Sequence, residues 1–361
     1  MLKTAPAVFA VENDYQIMVS TTAPALFSVR VGENEYFDES NGIMRSLSDM
    51  HRVIVPMQEL DVAGEYTVCV RPLIERKPYF TETEPMREYT YAFYPVPADR
   101  VRAYHIADAH NRVKEPVAAA NAFGEIDLLI LNGDVINHSG DPSKFDNVYE
   151  ICAQLTGGSR PVIFSRGNHD MRGNYAEKFA DFTPNSGGNT YYTFRIGGIW
   201  GVLLDCGEDK DDGHAEYGYT VSCRQFRRRQ TAFLEKVIAR KEQEYAAEGV
   251  TRRLVIAHNP FTKLFAPPFD IEQDTYARWA ELLREEIRPD LMICGHVHQL
   301  GVWMPGGEND HYGQSCPVVV GSRPGKDYWA GCGYVFERDR TEIVFTDSNG
   351  AVLEKKILPL D

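Results

Sequence analysis

The chain has 361 residues, of which 43% are hydrophobic, so it is long enough for two packed domains or one large one. Its formal net charge of −14 disfavours nucleic acid as a partner, because binding to a long polyanion depends on clustered Lys and Arg. The amino-terminal stretch does not read as a signal peptide, no apolar run is long enough to span a bilayer, and the seven cysteines are scattered, so we expect a cytoplasmic protein with reduced thiols and no membrane partner.

The first 97 residues are predicted to form a small all-β domain. Short alternating segments such as YQIMVS, LFSVRV and HRVIVP are separated by Gly, Asn, Asp and Pro, which is typical of antiparallel strands joined by turns. The stretch LDVAGEY, from Leu60 to Tyr66, resembles the tyrosine corner of fibronectin type III domains, although Val62 stands where that pattern usually has proline. We therefore expect an immunoglobulin/fibronectin-like β-sandwich over 1–97. Its role is either to pack against the next domain or to bind a partner of its own.

After the linker YPVPADR, the pattern changes to buried strands that alternate with helices, which predicts an α/β domain over 98–361. The apolar runs AYHIAD, DLLILNGD, PVIFSRGN, RRLVIAHN and LMICGHVH have the length of strands, and each closes on polar residues. The clearest helix is predicted from Ser222 to about Gly249. Ser222 and Gln225 have the spacing of a capping box, and Gly249 is placed to end the helix.

Each of these five strands ends in residue types that bind metals. The candidates are Asp108, His110, Asp134, Asn168, His258, His296 and His298. Ligands in α/β folds gather at the carboxyl ends of the strands, and O and N donors without a thiolate suit Mn, Fe, Zn or Ni. A lone Asp at a strand end is usually a cap or turn residue, but seven candidates together favour a centre of two divalent or trivalent ions with one bridging carboxylate.

The blocks DAH, GDVIN, GNHD, AHNP and GHVH stand in the order of the five signature blocks of the calcineurin-like metallophosphoesterases, and the chain resembles that family over about 101–320. The resemblance implies a four-layer α/β/β/α sandwich with a dinuclear centre. It implies that Asp108, His110 and His298 hold the first metal, that Asn168, His258 and His296 hold the second, and that Asp134 bridges them.

The implied activity is hydrolysis of a small phosphate ester by a hydroxide that bridges the metals, because water between two cations loses a proton readily. A general acid must then protonate the departing alkoxide, and His169 is the family's candidate. Asp170 is expected to orient His169 and to support its imidazolium form. Arg166 resembles the arginine with which protein phosphatases clamp phosphate, but a strand-end salt bridge is an equal alternative.

The chain departs from purple acid phosphatases, which also pair a fibronectin-like domain with this catalytic fold. Those enzymes carry a tyrosine ligand three residues after the aspartate of the G-D block, where this chain has Asn137. We therefore expect a similar architecture without the tyrosinate ligand.

Three loops are expected near the substrate. The acidic segment 207–217 is either a lid or a solvated loop, and PFTKLFAPPFD after His258 is either an apolar wall or surface packing. The loop SRPGKDYW offers Arg323 and Lys326 for a distal phosphate, and Tyr328 and Trp329 for stacking.

The expected partner is a small phosphorylated substrate, and the sequence leaves monoester and diester open, together with the oligomeric state. Phosphodiesterase or nuclease activity is one alternative, although the acidic composition disfavours the nuclease. A non-catalytic binding protein that uses the N-terminal sandwich is another, but the complete set of ligand types argues against it.

Overall fold

A computed structural model describes residues 1–360, so that the last position of the predicted second domain, 361, lies outside the described residues. The strands of the first part are β1 (Ala7–Val11), β2 (Asp14–Ser20), β3 (Ala25–Val31), β4 (Asn34–Phe37), β5 (Glu39–Ser40), β6 (Ile43–Met44), β7 (Met50–Pro56), β8 (Glu65–Glu75), β9 (Glu82–Thr83) and β10 (Arg87–Ala92). The strands of the second part are β11 (Arg100–Ile106), β12 (Leu128–Asn132), β13 (Pro161–Ser165), β14 (Tyr192–Ile196), β15 (Ile199–Leu204), β16 (Arg252–Ala257), β17 (Leu291–Cys294), β18 (Leu300–Trp303), β19 (Val318–Gly321), β20 (Arg323–Pro324), β21 (Trp329–Glu337), β22 (Arg340–Asp347) and β23 (Val352–Pro359).

The α-helices are α1 (Met57–Ala63), α2 (Lys114–Phe123), α3 (Asp146–Thr156), α4 (Phe179–Phe182), α5 (Cys223–Ala239) and α6 (Gln273–Leu282), and a π-helical turn, Leu283–Ile287, continues the last of these. Short 3₁₀ turns occupy Pro142–Phe145, His169–Met171, Ala176–Lys178 and Ala215–Tyr217. Within the described part of the chain, none of these helices combines the length and the apolar character needed to cross a membrane.

Two large sheets form the centre of the molecule. The ten-stranded sheet has the order β23-β22-β21-β11-β12-β13-β1-β2-β7, with β20 paired to β21, and the six-stranded sheet has the order β14-β15-β16-β17-β19-β18. Strands β11, β12 and β13 are parallel neighbours in the first sheet, and β15, β16 and β17 are parallel neighbours in the second. Strands β12 and β13 are buried along their whole length because both faces are covered, which explains their continuous apolar sequences.

Helices cover the outer faces of both sheets. Ile130 of β12 and Ile256 of β16 belong to one core cluster between the sheets. The neighbouring residue Leu129 points to the other face of β12, where it packs in a cluster with Val117 of α2. On the six-stranded sheet, Trp279 of α6 is fully buried in a third cluster. The result is a mixed α/β fold, as predicted, with layers in the order helix, sheet, sheet, helix.

The N-terminal strands share the larger sheet with the second part of the chain, which the sequence did not indicate. Strand β1 lies parallel to β13, and β2 and β7 extend the same sheet. A further sheet, β10-β8-β3-β4 with β9 paired to β8, supplies residues such as Phe27 to the same core cluster as Ile130. An independent sandwich over 1–97, with a boundary at residue 98, therefore stays a prediction, and one of its sheets would be continuous with the catalytic part.

The stretch that resembles a fibronectin tyrosine corner makes a different contact. Leu60 lies in helix α1, and the hydroxyl of Tyr66 donates a hydrogen bond of 2.8 Å to the carbonyl oxygen of Gly158, after helix α3. Tyr66 is fully buried. This tyrosine therefore ties residues 1–97 to the second part of the chain rather than closing a corner within its own segment.

The long helix is shorter than the prediction of Ser222 to Gly249, since α5 ends at Ala239 and turns follow it. Ser222 makes no side-chain cap. Instead, the carboxylate of Asp212 accepts hydrogen bonds from the backbone amides of Cys223 and Arg224, at 2.8 and 3.2 Å. A carboxylate from the preceding loop thus satisfies the free amides at the start of the helix, which the capping-box spacing could not reveal.

Candidate metal centre

The carboxyl ends of strands from both sheets meet at one place. Asn132, the last residue of β12, donates from its amide nitrogen to the carbonyl oxygens of Ala257 and Ile293, at 3.3 and 3.1 Å. These contacts join the end of a strand in the ten-stranded sheet to the ends of β16 and β17 in the six-stranded sheet. The turns that follow these strands therefore project into one shared space.

Three of the predicted ligands form one side of the cluster. Asp108, His110 and His298 each offer an atom that lies within 4.8 Å of the other two. Asp108 Oδ1 lies 3.4 Å from His298 Nε2, and His110 Nε2 lies 3.3 Å from the same nitrogen. These are the three residues that the resemblance implies for the first metal.

The other predicted ligands lie directly beside this group. His258 Nε2 is 3.2 Å from Asp134 Oδ2 and 3.6 Å from Asp108 Oδ1. His296 Nδ1 is 3.1 Å from Asn168 Oδ1. The seven side chains therefore form one continuous arrangement, and the carboxylates of Asp108 and Asp134 lie at its centre.

Two buried polar atoms at the centre make no hydrogen bond of good geometry among the described residues. Within residues 1–360, Asp108 Oδ1 and His258 Nε2 have no hydrogen-bond partner, although both are buried. The other ring nitrogen of His258, Nδ1, lies 2.7 Å from the carbonyl oxygen of Asn132, an arrangement that fixes the tautomer and directs Nε2 toward the carboxylates. A cation satisfies such atoms, so the residues present fit a metal centre.

The backbone of the cluster is strained in a way that serves the site. Five of the predicted ligands have a positive φ, between 47° and 67°, namely Asp108, His110, Asp134, His296 and His298. Each left-handed non-glycine residue costs about 1–3 kcal/mol, and such residues concentrate at functional sites. The sharp turns direct consecutive polar side chains toward the same point.

Two glycines allow the turns to approach each other. A Cβ at Gly133, which precedes Asp134, would lie 2.6 Å from His258 Nδ1, and φ at this glycine is +79°. A Cβ at Gly295, which precedes His296, would lie 2.5 Å from the side chain of Ala107. The glycines of the G-D and G-H blocks are therefore required by packing at the cluster.

The electrostatics favour the neutral, ligand form of two of the four predicted imidazole ligands, whereas the pKa of His258 and that of His298 are raised. Burial lowers the pKa of His110, and burial together with the nearby His258 lowers the pKa of His296 to about 4, so both rings are neutral at pH 7. Burial also opposes a charge on His258, but Asp134 and Asp108 outweigh it and raise its pKa to about 10. In the metal-free protein, a proton on His258 thus balances the negative charge of the two carboxylates. A bound cation can supply this positive charge instead.

His169 stands beside the cluster as the predicted general acid. Its Nδ1 lies 3.0 Å from the carbonyl oxygen of Asn137, and its backbone amide donates to Asp134 Oδ1 at 2.9 Å. The ring packs edge-on against His110, with centroids 4.7 Å apart. Asn137, which occupies the position of the tyrosine ligand in purple acid phosphatases, therefore positions His169 through its backbone.

Asp170 does not make the predicted contact with the imidazole of His169. Its Oδ2 accepts hydrogen bonds from the backbone amides of Asp134 and Gly167, at 3.1 and 2.8 Å. Burial, and then the neighbouring charge of Asp134, raise the pKa of Asp170 to about 8. The carboxyl group holds together the turns that carry Asp134 and Asn168, and its support of the imidazolium stays a prediction.

Arg166 forms the salt bridge that was one of its two predicted roles, and the phosphate clamp stays a prediction. Its Nε donates to Asp205 Oδ2 at 2.7 Å, and its guanidinium group lies 5.2 Å from the ring centroid of Phe226. Thr190 donates a second hydrogen bond to the same carboxylate oxygen. This salt bridge joins the ends of strands in different sheets, because Arg166 directly follows β13 of the ten-stranded sheet and Asp205 directly follows β15 of the six-stranded sheet.

The cluster opens into a cleft of about 450 Å³, which is in the size range of small-molecule sites. It is lined by Asp134, Asn168, His169, Asp209, Lys263, Phe265, Phe269, His296, Val297, His298 and Gln299. The loop after His258 therefore forms a wall of the cleft, which was one of its two predicted roles. The sequence analysis did not single out Asp209, Lys263 and Gln299 as lining residues. In the sequence, only their closeness to the motif blocks or to the expected substrate loops indicates this role.

Ion pairs hold the acidic segment 207–217 against the rest of the protein, so it is more than a solvated loop. Glu208 forms two hydrogen bonds with Arg172, at 2.8 and 2.9 Å. Lys210 pairs with Asp209 and with Glu216, each at 3.0 Å. These pairs neutralise much of the segment and attach it to the turn that carries Asn168 and His169.

Asp209 faces a predicted ligand from the outer side. Its Oδ1 accepts from the hydroxyl of Tyr217 at 3.0 Å, and its Oδ2 lies 3.9 Å from His296 Nε2. That separation is longer than a hydrogen bond, so the contact is electrostatic. Phe265 packs edge-on against the same imidazole, with centroids 6.2 Å apart. The ring of His296 is thus confined with Nδ1 toward Asn168.

The loop SRPGKDYW does not contribute to the cleft. Trp329 is fully buried in the core beneath the ten-stranded sheet, so it is not free to stack on a ligand. Arg323 donates to the hydroxyl of Tyr328 at 2.9 Å, and Arg112 holds the loop through the carbonyl oxygen of Gly325 at 2.6 Å. The expected roles of this loop in binding a distal phosphate and in stacking are therefore not supported by its position.

Known proteins resemble this chain in sequence and in fold. Residues 101–300 match the family model of the calcineurin-like phosphoesterases. A probable cyclic nucleotide phosphodiesterase of Rhodopseudomonas palustris is 28% identical over 218 residues, which are 56% of this chain and 69% of that protein. The purple acid phosphatase of yellow lupin (Lupinus luteus) seeds is 13% identical, with a TM-score of 0.62 over 99% of this chain and 74% of its own.

The family model spans more than half of the chain and contains all five motif blocks, and candidate metal-ligand groups lie where those blocks meet. The lupin structure supports the same fold independently of sequence identity. The chain therefore belongs to the calcineurin-like phosphoesterase family and is a metal-dependent phosphoesterase.

Proposed function

We propose that the protein hydrolyses a small phosphate ester at a centre of two metal ions, with His169 as the general acid. The observation that carries this proposal is the cluster of seven O and N donors in which Asp108 Oδ1 and His258 Nε2 are buried without hydrogen-bond partners in the described structure. Structural carboxylates and imidazoles of a protein interior are normally paired, so these unpaired atoms favour a bound cation.

The proposed ligands fall into two groups that share one carboxylate. Asp108, His110 and His298 belong to the first ion, Asn168, His258 and His296 to the second, and Asp134 to both. When bound, two cations supply Lewis-acid stabilisation of the phosphoryl oxygens and lower the pKa of water at the site. The donor types suit Mn, Fe, Zn or Ni, and the identity of the ions is part of the proposal.

His169 is proposed to give its proton to the oxygen of the leaving group. Its Nδ1 faces the carbonyl oxygen of Asn137, so this nitrogen carries a proton and Nε2 is the nitrogen available to the substrate. The backbone hydrogen bond from His169 to Asp134 Oδ1 fixes the imidazole beside the predicted bridging ligand. General acids placed in this way contribute about 10²–10⁴-fold to the rate.

The lining of the cleft favours a small ester with an apolar group. Phe265, Phe269 and Val297 provide apolar surface next to the cluster, whereas Lys263 is a cation in the same cleft. The net charge of −14 disfavours long nucleic acids. A phosphodiester is the second candidate substrate, and it is favoured by the aromatic wall and by the similarity to the probable cyclic nucleotide phosphodiesterase of Rhodopseudomonas palustris.

The proposal is tested by removing metals with a chelator, restoring Mn, and measuring hydrolysis of p-nitrophenyl phosphate and bis-p-nitrophenyl phosphate. We expect negligible hydrolysis by the stripped protein and recovery of turnover on at least one substrate. Absence of turnover on both substrates by a protein that retains two metals would contradict hydrolysis of small esters. It would favour the alternative of a binding protein.

A further inference from the structure

Lys263 is the only lysine or arginine among the described residues that line the cleft. It lies five residues after His258, on the loop that forms the aromatic wall. The inference below rests on the proposed function, because it concerns the substrate of the same site. The question is which part of a phosphate ester this cation contacts.

The ammonium group of Lys263 contacts neutral side chains. Its Nζ donates to Asn309 Oδ1 at 2.9 Å and lies 5.5 and 5.1 Å from the ring centroids of Phe265 and Trp303. In the part of the chain that the structure describes, no ion pair joins this Nζ to a carboxylate. Lys210, which follows the lining residue Asp209 in the chain, is paired with both Asp209 and Glu216. Of these two cations, Lys263 therefore retains charge that a ligand can neutralise.

The cations that the sequence suggested for the same purpose are placed elsewhere. Arg166 is paired with Asp205, and Arg323 is bonded to Tyr328 outside the cleft. Lys326 is exposed on the loop that Arg112 anchors, and it is not part of the cleft lining. The metal-ligand cluster neutralises part of the substrate's negative charge. Any further negative charge on the substrate thus has one available partner, Lys263.

We propose that Lys263 determines the preference between phosphate monoesters and diesters by binding the additional anionic oxygen of a monoester. Near pH 7 a monoester carries close to two negative charges and a diester carries one, so the Lys263 ammonium group stabilises a bound monoester more than a bound diester. A diester places a second ester group where the monoester has that oxygen, and Phe265 and Phe269 offer this group apolar surface. Lys263 and the aromatic wall therefore act in opposite directions on the preference.

The test compares kcat/KM for p-nitrophenyl phosphate and bis-p-nitrophenyl phosphate in Mn-loaded wild type, Lys263→Met and Lys326→Met. Methionine keeps the apolar length of the side chain and removes its charge. We expect Lys263→Met to lower the monoester value by about tenfold or more, as for the loss of a charge-assisted hydrogen bond, and the diester value by less than about threefold. Lys326→Met, which removes an equal charge outside the cleft, should leave both values unchanged.

Lys263→Arg retains the charge and should preserve the preference, and thermal unfolding of each variant verifies that the fold is intact. Equal losses on the two substrates, or no loss in Lys263→Met, would overturn the inference, as would a loss confined to the monoester in Lys326→Met. These outcomes differ from failure of the proposed function, in which the wild-type protein would hydrolyse neither substrate.

Discussion

Two buried histidines, one in each part of the chain, show how structural and functional regions of this molecule differ. In the N-terminal part, His51 Nδ1 lies 2.8 Å from Asp38 Oδ2, and its ring stacks on Phe27 at a centroid distance of 5.0 Å. In the second part, His258 Nε2 faces Asp134 and Asp108, and this nitrogen has no hydrogen-bond partner among the described residues.

The difference extends to the surroundings of these residues. Residues 1–97 join the rest of the molecule through a shared sheet and through the buried hydrogen bond from Tyr66 to Gly158. The ligand cluster, by contrast, combines unpaired buried atoms with five left-handed residues. Polar groups that are paired stabilise a fold, whereas polar groups held unpaired against strain indicate a site that a ligand completes. Changes in the cluster should therefore reduce activity, and changes at the N-terminal contact should reduce stability.

The largest effect is expected for Asp134→Asn. Replacing the predicted bridging carboxylate removes a negative charge between the two ligand groups, so we expect hydrolysis to fall by about a thousandfold or more. Cooperative thermal unfolding of the metal-free variant should verify that the fold is intact, so that lost hydrolysis is not lost folding. Activity within tenfold of wild type would remove Asp134 from its proposed role.

Substitution of the proposed general acid should give the next largest effect, and the effect should depend on the leaving group. We expect His169→Ala to lower kcat for phenyl phosphate by about a hundredfold or more, because phenolate is a poor leaving group that needs a proton. The loss for p-nitrophenyl phosphate should be much smaller, since p-nitrophenolate leaves readily without one. Equal losses for both substrates would show that His169 has a different role.

Metal affinity should depend on pH through His258. Its pKa of about 10 lies above the ordinary value of 6.5, so in the metal-free protein the imidazole holds a proton at neutral pH that a metal must displace. Affinity for Mn should therefore rise by about tenfold per pH unit while this proton remains bound, and should level off near pH 10. Calorimetry in buffers of different ionisation enthalpy measures the released protons, and binding without proton release would contradict this account.

The same shift affects the stability of the metal-free fold. A raised histidine pKa contributes stability that is fully present below pH 6.5 and is lost as the pH rises through about 10. Metal should therefore stabilise the protein increasingly toward alkaline pH, which thermal unfolding with and without Mn can follow.

A smaller effect is expected at Asp209, which we predict to position His296. Loss of outer partners of metal ligands typically weakens metal binding by 10–100-fold, so Asp209→Asn should weaken binding of one of two Mn ions by about tenfold. Asp211→Asn is the matched control, because Asp211 is exposed on the same segment and the substitution changes charge equally. Equal metal affinities in the two variants would show that Asp209 does not act on His296.

The smallest effect on turnover is expected for Tyr66→Phe, on the N-terminal side of the comparison. This substitution removes the buried hydrogen bond to Gly158 and should lower the free energy of unfolding by about 1–2 kcal/mol. Activity of the folded, Mn-loaded variant should equal that of wild type. A large loss of turnover without loss of stability would mean that the N-terminal part acts on the site directly.

The sequence predicts that the candidate ligands lie together because the physics that places them is local. Apolar runs such as LMIC predict strands, parallel strands end at a common edge, and the next polar residues therefore meet. This reasoning finds His258 and His296 without knowledge of any loop. The cytoplasmic location and the lack of a membrane partner rest on sequence alone and stay predictions.

The contacts that the sequence does not predict join segments that are distant along the chain. The parallel pairing of β1 with β13 spans about 150 residues, and nothing in AVFAV distinguishes it from a strand of a separate sandwich. Asp170 and His169 are adjacent, yet the turn directs the carboxylate of Asp170 to backbone amides. The pairing of Arg166 with Asp205 likewise depends on how the two sheets pack and not on spacing along the chain.

The most direct test of the central claim measures metal content and hydrolysis on the same samples while the stripped protein is titrated with Mn. The account predicts that turnover of p-nitrophenyl phosphate or its bis ester rises as the metal content approaches two ions per chain, and that Asp134→Asn disrupts both quantities. Full turnover with one ion or none, or two tightly bound ions without hydrolysis of either ester, would contradict it.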